Sequence, residues 1–211
     1  PLSALTGFSR RVRHFPCSCR ERIPVTQPSK PQRHTRRRVM ATGLTLVAGW
    51  STPAFAASPT LHVPAEEERH AATFMMWPNS RAVYQDAAFL DDTQRTIARI
   101  ANTIGAFEPV FLLAEASHHA TIQRLVSDDV TLWDIPTEDL WCRDAGPLFA
   151  WRDQELVVSH LQFDGWGGAQ VHRHDAQVAG RIAARLGVPL VASGVVGEAG
   201  GVEQDGHGLL A

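Results

Sequence analysis

Short apolar runs and longer amphipathic stretches alternate between residues 72 and 196. Apolar runs bounded by Pro, Gly or polar residues predict buried strands, and apolar positions that repeat every three or four residues predict helices. The predicted strands are 72–77, 109–114, 130–135, 148–151, 156–163, 188–191 and 195–196. The predicted helices are 86–107, 117–125 and 175–186. Alternation of strands and helices is typical of an α/β fold, in which helices cover the faces of a sheet.

The helical segments also predict which side chains are buried. Within 86–107, one face collects small or apolar side chains that should pack on a sheet: Phe89, Thr93, Ile97, Ile100, Ala101 and Ile104. Within 175–186, the corresponding face holds Val178, Ile182 and Leu186. Ser117 stands at the start of 117–125, where its hydroxyl is expected to cap the helix. The segments between these elements are predicted to be loops: 137–147, 164–168 and 197–208.

The first 56 residues do not continue this pattern. Residues 1–34 are rich in Arg, Pro, Ser and Thr without periodicity, so we expect a disordered or untranslated leader. Residues 35–56 combine arginines at 36–38, an apolar run at 41–50 and the small-residue site Ala54-Phe55-Ala56. This order predicts a signal peptide, and the paired arginines before the apolar run favour the twin-arginine type. The apolar run is shorter than the ~20 residues that cross a bilayer, so a transmembrane helix is not predicted. A tethered helix, or arginine-rich translation of non-coding DNA, is the alternative.

Residues 57–211 are then predicted to be a domain that is periplasmic or secreted, with no stable membrane insertion after signal cleavage. Nine Arg and one Lys accompany a single acid, Glu21, in residues 1–56, which leaves 10 basic and 21 acidic residues in the domain. An acidic domain argues against nucleic-acid binding and is compatible with a cationic substrate. A hydrophobic content of 44% and a charged content of 20% are ordinary for a globular protein.

Residues 138–147 form the first segment with candidate chemistry. They follow a predicted strand and contain Trp141, Arg143 and Asp144 before a Gly-Pro end. A planar guanidinium takes a carboxylate for two parallel hydrogen bonds and an aromatic face for stacking, and Asp144 and Trp141 would supply both. The alternative is an ordinary loop in which Arg143 pairs with Asp139 or Asp144.

Two glycine-rich segments could also line a pocket. The segment 198–208 carries acids and one histidine among its glycines: Glu198, Glu203, Asp205 and His207. These residues suit acid–base chemistry or metal binding, and a hairpin turn at Asp205-Gly206 is the alternative. The segment 163–168 (Phe-Asp-Gly-Trp-Gly-Gly) is either the rim of a pocket or a tight connection.

Cysteine and histidine residues are weaker candidates. Cys142 is the one cysteine in 57–211, so no disulfide can form within this segment. Arg143 beside it could lower the pKa of its thiol, but we do not expect Cys142 to be the nucleophile. The histidines at 118–119 and 172–174 lack the ligand spacing of a metal site. We therefore expect them at the surface, and no metal is predicted.

Four segments occur in the order of a known family. They are Trp77-Pro78, the Trp-Cys-Arg-Asp-Ala-Gly-Pro run 141–147, the Phe-Asp-Gly-Trp-Gly loop from Phe163, and 198–208. Together they resemble the agmatine deiminase family, which also contains the bacterial peptidylarginine deiminases and belongs to the guanidine-modifying penteins. Asp164 stands where this family usually has Asn, and Ala199 stands where it usually has Gly.

This resemblance implies an α/β fold built as a five-bladed, pseudo-symmetric propeller of ββαβ repeats around a central pocket, here truncated at its C-terminus. It also implies a chemistry. A cysteine thiolate attacks the guanidine carbon, two carboxylates hold the guanidinium, and a histidine moves protons. Ammonia leaves, and water then resolves a covalent thiouronium intermediate. No metal or organic cofactor is implied.

Carried onto this sequence, the resemblance implies roles for three residues. Asp144 would be a catalytic carboxylate that binds the guanidinium, Trp141 a wall of the substrate pocket, and Glu198 the catalytic acid that orients the histidine. The family's histidine and second aspartate belong to a Thr-Asp-Gly-His-x-Asp motif, and its cysteine lies near the C-terminus. We expect all three beyond Ala211, and His207, which stands in a different motif, is not assigned as the base.

The resemblance therefore implies conversion of agmatine to N-carbamoylputrescine and ammonia. One alternative is a protein-arginine deiminase that converts peptidyl-arginine to citrulline. Others are a non-catalytic, guanidinium-binding fragment and an amidino-group transferase. The expected partner is a small cationic guanidine or an arginyl peptide rather than nucleic acid, and the oligomeric state is left open.

Overall fold

The structure, a computed structural model, describes residues 61–204. The predicted leader and signal peptide, together with Asp205 and His207, lie outside the described residues. The strands are β1 (Leu61–His62), β2 (Thr73–Met76), β3 (Val110–Ala114), β4 (Val130–Asp134), β5 (Leu148–Arg152), β6 (Glu155–His160) and β7 (Leu190–Ala192). The α-helices are α1 (Ala87–Gly105), α2 (Ala116–Ile122), α3 (Cys142–Ala145), α4 (Gly165–Gly168) and α5 (Val178–Leu186). Two 3₁₀ turns cover Asp175–Gln177 and Ala199–Gly201.

Strands β2, β3 and β4 form a parallel sheet with β3 at its centre. Helix α1 connects β2 to β3, and α2 connects β3 to β4. Parallel neighbours need such crossovers because the chain must return to the same end of the sheet before the next strand begins. A central parallel strand is covered on both faces, which explains why β3 is a continuous apolar run, VFLLA.

Strands β1, β5, β6 and β7 form a second sheet in that order. Strands β5 and β6 are an antiparallel hairpin, and β7 lies parallel to β6 after the crossover helix α5. The run β5–β6–α5–β7 is therefore one ββαβ unit. The hairpin turns at Asp153, whose left-handed φ of 56° is a conformation that Asp adopts more readily than most residues.

Helix α1 packs on the parallel sheet through a face that differs from the prediction. Ile97 and Ala101 are buried as expected, but Phe89 is 62% exposed and Ile100 is 43% exposed. Leu90 and Ala98 are buried in the core instead. The predicted face was wrong at Phe89 and Ile100 because helical periodicity locates an apolar arc without fixing its centre. Packing against the sheet centres the buried stripe about one residue further along.

The other face of the parallel sheet packs against α5 and the loop before it. Met76 and Leu113 from the sheet are buried in one cluster with Val178 and Ile182 of the helix and with Phe163. Leu186 packs at the margin of the same cluster, so the predicted face of this helix is confirmed. This core lies directly under the segments singled out for their chemistry.

Several predicted boundaries need correction. Helix α2 begins at Ala116, so Ser117 lies inside the helix rather than capping it, and Asp134 accepts a hydrogen bond from the Ala116 N–H at 2.9 Å instead. The predicted strand 195–196 is not a strand, and the pairing of β1 with β5 was not predicted. Residues 142–145, predicted as loop, form one helical turn. Short elements of this kind depend on distant partners that periodicity does not detect.

The α/β fold class is confirmed, and one ββαβ unit is present. The five-bladed propeller stays a prediction, because the two sheets between Leu61 and Gln204 do not form a closed ring. Within this part of the chain, no helix has the length and apolar character needed to cross a membrane.

Candidate functional site

Helix α3 presents the first candidate residues. The N–H groups of Asp144 and Ala145 donate to the Trp141 carbonyl at 3.1 Å. Trp141 stands at the start of the turn and is 51% exposed. Gly146 ends the turn by donating to the Cys142 carbonyl at 2.8 Å. A Cβ at Gly146 would lie 2.1 Å from that carbonyl oxygen, so only glycine fits here.

Three separate segments meet at Asp144. The Trp166 indole N–H donates to Asp144 Oδ2 at 3.3 Å. Gly200 approaches the other oxygen so closely that a Cβ on it would lie 2.2 Å from Asp144 Oδ1. The structure thus brings together 138–147, 163–168 and 198–204, the three segments that the sequence singled out separately.

Glu198 lies beside this junction. It is half-buried and immediately precedes the 3₁₀ turn Ala199–Gly201, and its carbonyl accepts the Gly201 N–H at 3.1 Å. Its carboxylate makes no hydrogen bond or ion pair within the part of the chain that the structure describes. An acid without a partner at this position is free to hold another polar group.

Trp166 is a site residue that sequence analysis did not name individually. Its φ of 57° and ψ of 56° are left-handed, which costs a residue other than glycine about 1–3 kcal/mol unless its surroundings hold it there. Phe163 packs edge-on against its ring at 5.0 Å, and Asp164 Oδ1 accepts the Gly167 N–H at 2.8 Å. The glycines on both sides of Trp166 were the sequence feature that could have indicated its unusual backbone conformation. The hydrogen bond to Asp144 places this loop beside the candidate site, as the rim alternative predicts.

The departure from the family pattern at Asp164 leaves this loop intact. Its Oδ1 closes the turn by accepting a backbone N–H, and an asparagine side chain offers the same oxygen. Ala199, the second departure, is 8% exposed, so the extra methyl group is accommodated in a buried position.

Cys142 is unsuited to be the nucleophile. Burial, together with the smaller effect of the negative charge of Asp175, raises the pKa of its thiol to about 12. The thiolate that would attack a guanidine carbon is therefore scarce at neutral pH. Arg143 does not offset this, because its guanidinium pairs with Glu66. The alternative in which Arg143 pairs with Asp139 or Asp144 was wrong.

Three buried carboxylates lie behind the site, and we call Glu138, Asp139 and Asp175 the acid cluster. Their exposed fractions are 6%, 2% and 2%. Burial raises the pKa of Asp175 to about 7, and the charges of Glu138 and Asp139 act in the same direction, against the backbone hydrogen bonds that Asp175 accepts from both. No motif predicts this cluster, since Asp175 lies 36 positions or more from the other two acids in sequence.

The histidines are less exposed than predicted. His119, His172 and His174 are half-buried, and the rings of the first two approach backbone carbonyls at 3.0 and 2.7 Å. Across residues 61–204, no three His, Cys, Asp or Glu side chains are grouped as they would be to hold a metal ion.

Two clefts open near these elements. One of about 380 Å³ runs beside α3 and is lined by Glu66, Arg143, Phe149 and Ala199, among others. A larger one, of about 520 Å³, is lined by residues of α2 and α5 and by Asp134. The smaller cleft includes sequence neighbours of the junction, Arg143 beside Asp144 and Ala199 beside Gly200.

Comparison with known proteins places these features in one family. Residues 62–211 match the family model described as Porphyromonas-type peptidyl-arginine deiminase. A Streptomyces coelicolor protein named "Putative agmatine deiminase" is 33% identical over 154 residues, which are 72% of this chain and 45% of that protein. The agmatine deiminase of Ectopseudomonas mendocina is 31% identical over 157 residues, 71% of this chain and 42% of that protein.

The fold agrees with a solved structure. The agmatine deiminase of Enterococcus faecalis aligns with a TM-score of 0.64 at 24% identity, over 71% of this chain and 42% of that one. The chain therefore spans less than half the length of the curated relatives it matches.

Proposed function

The chain belongs to the Porphyromonas-type peptidyl-arginine deiminase family, and from this membership we propose that the complete protein hydrolyses a guanidine C–N bond. The products would be ammonia and a ureido compound. In the same proposal, the two sheets described above contribute to a five-bladed propeller whose remaining blades come from sequence that the longer relatives contain.

The observation that carries this proposal is the state of Asp144. Its carboxylate is half-buried and receives one neutral donor, the Trp166 indole, at a long 3.3 Å. The ion pairs between Leu61 and Gln204 involve other residues, so no cation neutralises it there. A guanidinium would supply the missing charge through paired N–H donors, and the exposed ring of Trp141 would cover its flat face.

The proposed mechanism gives this chain a binding and orienting role. Asp144 fixes the guanidinium so that its carbon faces a cysteine thiolate, which attacks that carbon and displaces ammonia, the leaving nitrogen taking a proton from the histidine. Water then attacks the carbon of the thiouronium adduct and gives a proton to the histidine, and the C–S bond breaks to release the ureido product and the thiolate. Glu198, whose carboxylate has no partner among the described residues, would orient the histidine that moves protons. Because the resemblance implies a nucleophilic cysteine near the C-terminus, we assign that role to a cysteine beyond Ala211. The raised pKa of the Cys142 thiol agrees with this assignment.

Agmatine is the proposed substrate, with N-carbamoylputrescine as the second product. The names of the relatives support it, since two of them are called agmatine deiminases. Peptidyl-arginine is the second candidate, favoured by the description of the matching family and by the signal peptide predicted at 35–56. Export to the periplasm or beyond would place the enzyme where arginyl peptides occur.

The test is to express the gene with its reading frame continued past the codon for Ala211 and to measure ureido product. Agmatine, an arginyl peptide and free arginine would be compared. We expect turnover of agmatine or of the peptide, and a loss of at least about tenfold in kcat/KM for Asp144→Asn, because the charge-assisted pair is lost.

Asp153→Asn is the matched control, since Asp153 lies in the exposed β5–β6 turn and asparagine also tolerates its left-handed backbone. A folded protein that releases no ureido product from any of the three substrates would refute hydrolysis. If it still binds agmatine, the chain is the guanidinium-binding remnant considered above.

A further inference from the structure

We propose that Asp139 is a positioning residue for the guanidinium site, acting through Gln170 to hold Trp166 and through Leu140 to hold helix α3. This inference rests on the proposed function of Asp144. Asp139 itself is buried behind the site and is not expected to touch substrate.

Both carboxylate oxygens of Asp139 are engaged by groups that belong to different segments. Oδ1 accepts hydrogen bonds from the Tyr84 hydroxyl and from the Leu140 N–H, the latter at 2.7 Å. Oδ2 accepts the Gln170 side-chain amide at 2.6 Å. At 2% exposure, water does not compete for these oxygens, so the bonds define one geometry.

These bonds lead to Asp144 from two directions. On one side, the Leu140 carbonyl accepts the Cys142 N–H at 2.8 Å, which fixes the start of α3. On the other side, the Gln170 N–H donates to the Gly165 carbonyl at 3.3 Å, which closes the turn that carries Trp166. Trp166 then reaches back to Asp144. The contacts form a closed ring that begins and ends at Asp139.

The backbone of Asp139 is held independently by the rest of the acid cluster. Asp175 accepts the N–H groups of Glu138 and Asp139 at 2.7 and 3.1 Å. In return, Glu138 accepts the N–H groups of His174 and Asp175, at 2.8 and 2.9 Å to Oε2. Because this exchange anchors Asp139 without Gln170, removing the Gln170 donor should release the Trp166 loop while leaving the core in place.

Gln170 is therefore the residue to change. In Gln170→Glu, the new carboxyl meets Asp139 and can donate only while protonated, so the link is made in acid and broken by repulsion at higher pH. In Gln170→Leu, the donor is absent at every pH. Gln177→Glu and Gln177→Leu are matched controls, because Gln177 also hydrogen-bonds through its amide but lies exposed and bonds to Arg173 and Arg181.

Two readouts would be followed from pH 5 to pH 8 on the protein expressed with its reading frame continued past the codon for Ala211, because the proposed function assigns residues of the site to that part. The first is the N–H resonance of the Trp166 indole, assigned with Trp166→Phe. The second is the Kd for agmatine. The titratable groups that face this region are Asp144, Asp139, Glu138, Asp175, Tyr84 and His172. The unmodified chain carries all of them and serves as the baseline.

We expect the Gln170→Glu indole signal to match the unmodified chain at pH 5 and to move upfield with faster exchange by pH 8. Its affinity for agmatine should fall over the same range by about threefold to tenfold, the effect of losing one hydrogen bond. Gln170→Leu should show the weakened state throughout, and both Gln177 variants should follow the unmodified chain.

An indole signal that follows the unmodified chain in both Gln170 variants would overturn the positioning role. If a Gln170 variant unfolds while its Gln177 counterpart folds, the residue is structural and the proposal also fails. If the unmodified chain does not bind agmatine but the indole responds as expected, the ring of contacts stands and the proposed function is what fails.

Discussion

Single atoms decide the shape of the carboxylate site. Gly200 lies so close to Asp144 that it forms one wall around Oδ1. Any side chain there would displace the carboxylate or the turn that follows Glu198. The absence of a Cβ at Gly200 is therefore as important to the site as the negative charge of Asp144.

Gly200→Ala should remove this fit. If the proposed function holds, we expect kcat/KM for agmatine to fall by about tenfold to a hundredfold, because the charged hydrogen bonds proposed between the guanidinium and Asp144 would be misaligned. Gly201→Ala is the control, since nothing lies within 4 Å of a Cβ there. Steady-state kinetics of both variants provide the measurement, and equal activity of the two would show that Asp144 does not need this wall.

A second prediction concerns the indole N–H group of Trp166. Trp166→Phe keeps an aromatic ring against Phe163 and removes the N–H that reaches Asp144. We expect about a threefold to tenfold rise in the Kd for agmatine, measured by calorimetry, since a single hydrogen bond is lost. Trp151→Phe, at a 40% exposed position in β5, is the control and should bind normally.

At the level of elements, α1 has a defined beginning. Asp86 accepts hydrogen bonds from the N–H groups of Ala88 and Phe89 at 2.7 and 3.1 Å. These two bonds lower the pKa of the Asp86 carboxyl, so the cap stabilises the helix above that pKa and is lost in strong acid.

Asp86→Ala should therefore lower Tm by about 2–4 °C at neutral pH. Asp92→Ala, in an exposed part of the same helix, should change Tm by less. Thermal unfolding followed by circular dichroism would compare them. A Tm for Asp86→Ala as high as that of Asp92→Ala would contradict the capping role.

Elements with strong periodicity could be predicted, and those held by distant contacts could not. β3 and α5 follow from an apolar run and a helical repeat in their own residues. The conformation of Trp166, in contrast, is held partly by Asp144, which lies 22 positions earlier in the chain, a contact that no local pattern encodes. The family resemblance implied roles for Asp144, Trp141 and Glu198, which stay predictions, but no motif indicated the hydrogen bond from Tyr84 to Asp139, which joins residues 55 positions apart.

Across the whole molecule, the acid cluster should make stability depend on pH. In the folded state Asp175 keeps its proton up to about pH 7, whereas an unfolded Asp loses it near its ordinary pKa of 3.8. Between these values the folded state binds more protons than the unfolded state. The contribution of Asp175 to the free energy of unfolding therefore decreases as pH rises from about 4 to 7, and is lowest above 7.

Asp175→Asn should flatten that slope, because the amide does not titrate. Urea unfolding would be measured at pH 5, 6, 7 and 8. The urea concentration at the unfolding midpoint should change less between pH 5 and 8 in Asp175→Asn than in the unmodified chain. Asp134→Asn, which also replaces an acid that accepts a backbone hydrogen bond but lies exposed, should keep the original slope. If the slope of stability against pH is the same in Asp175→Asn, a group other than Asp175 causes the pH dependence.

The junction at Asp144 also has a consequence for protein synthesis. Its three contributors, Asp144, Trp166 and Gly200, leave the ribosome in that order and span 56 positions of the chain. At about 5–20 residues per second, roughly 3–11 seconds pass between the first and the last. During that interval the nascent chain exposes a carboxylate without its wall. If Asp144 holds a guanidinium as proposed, this part of the site is complete only after β5, β6 and α5 have been translated.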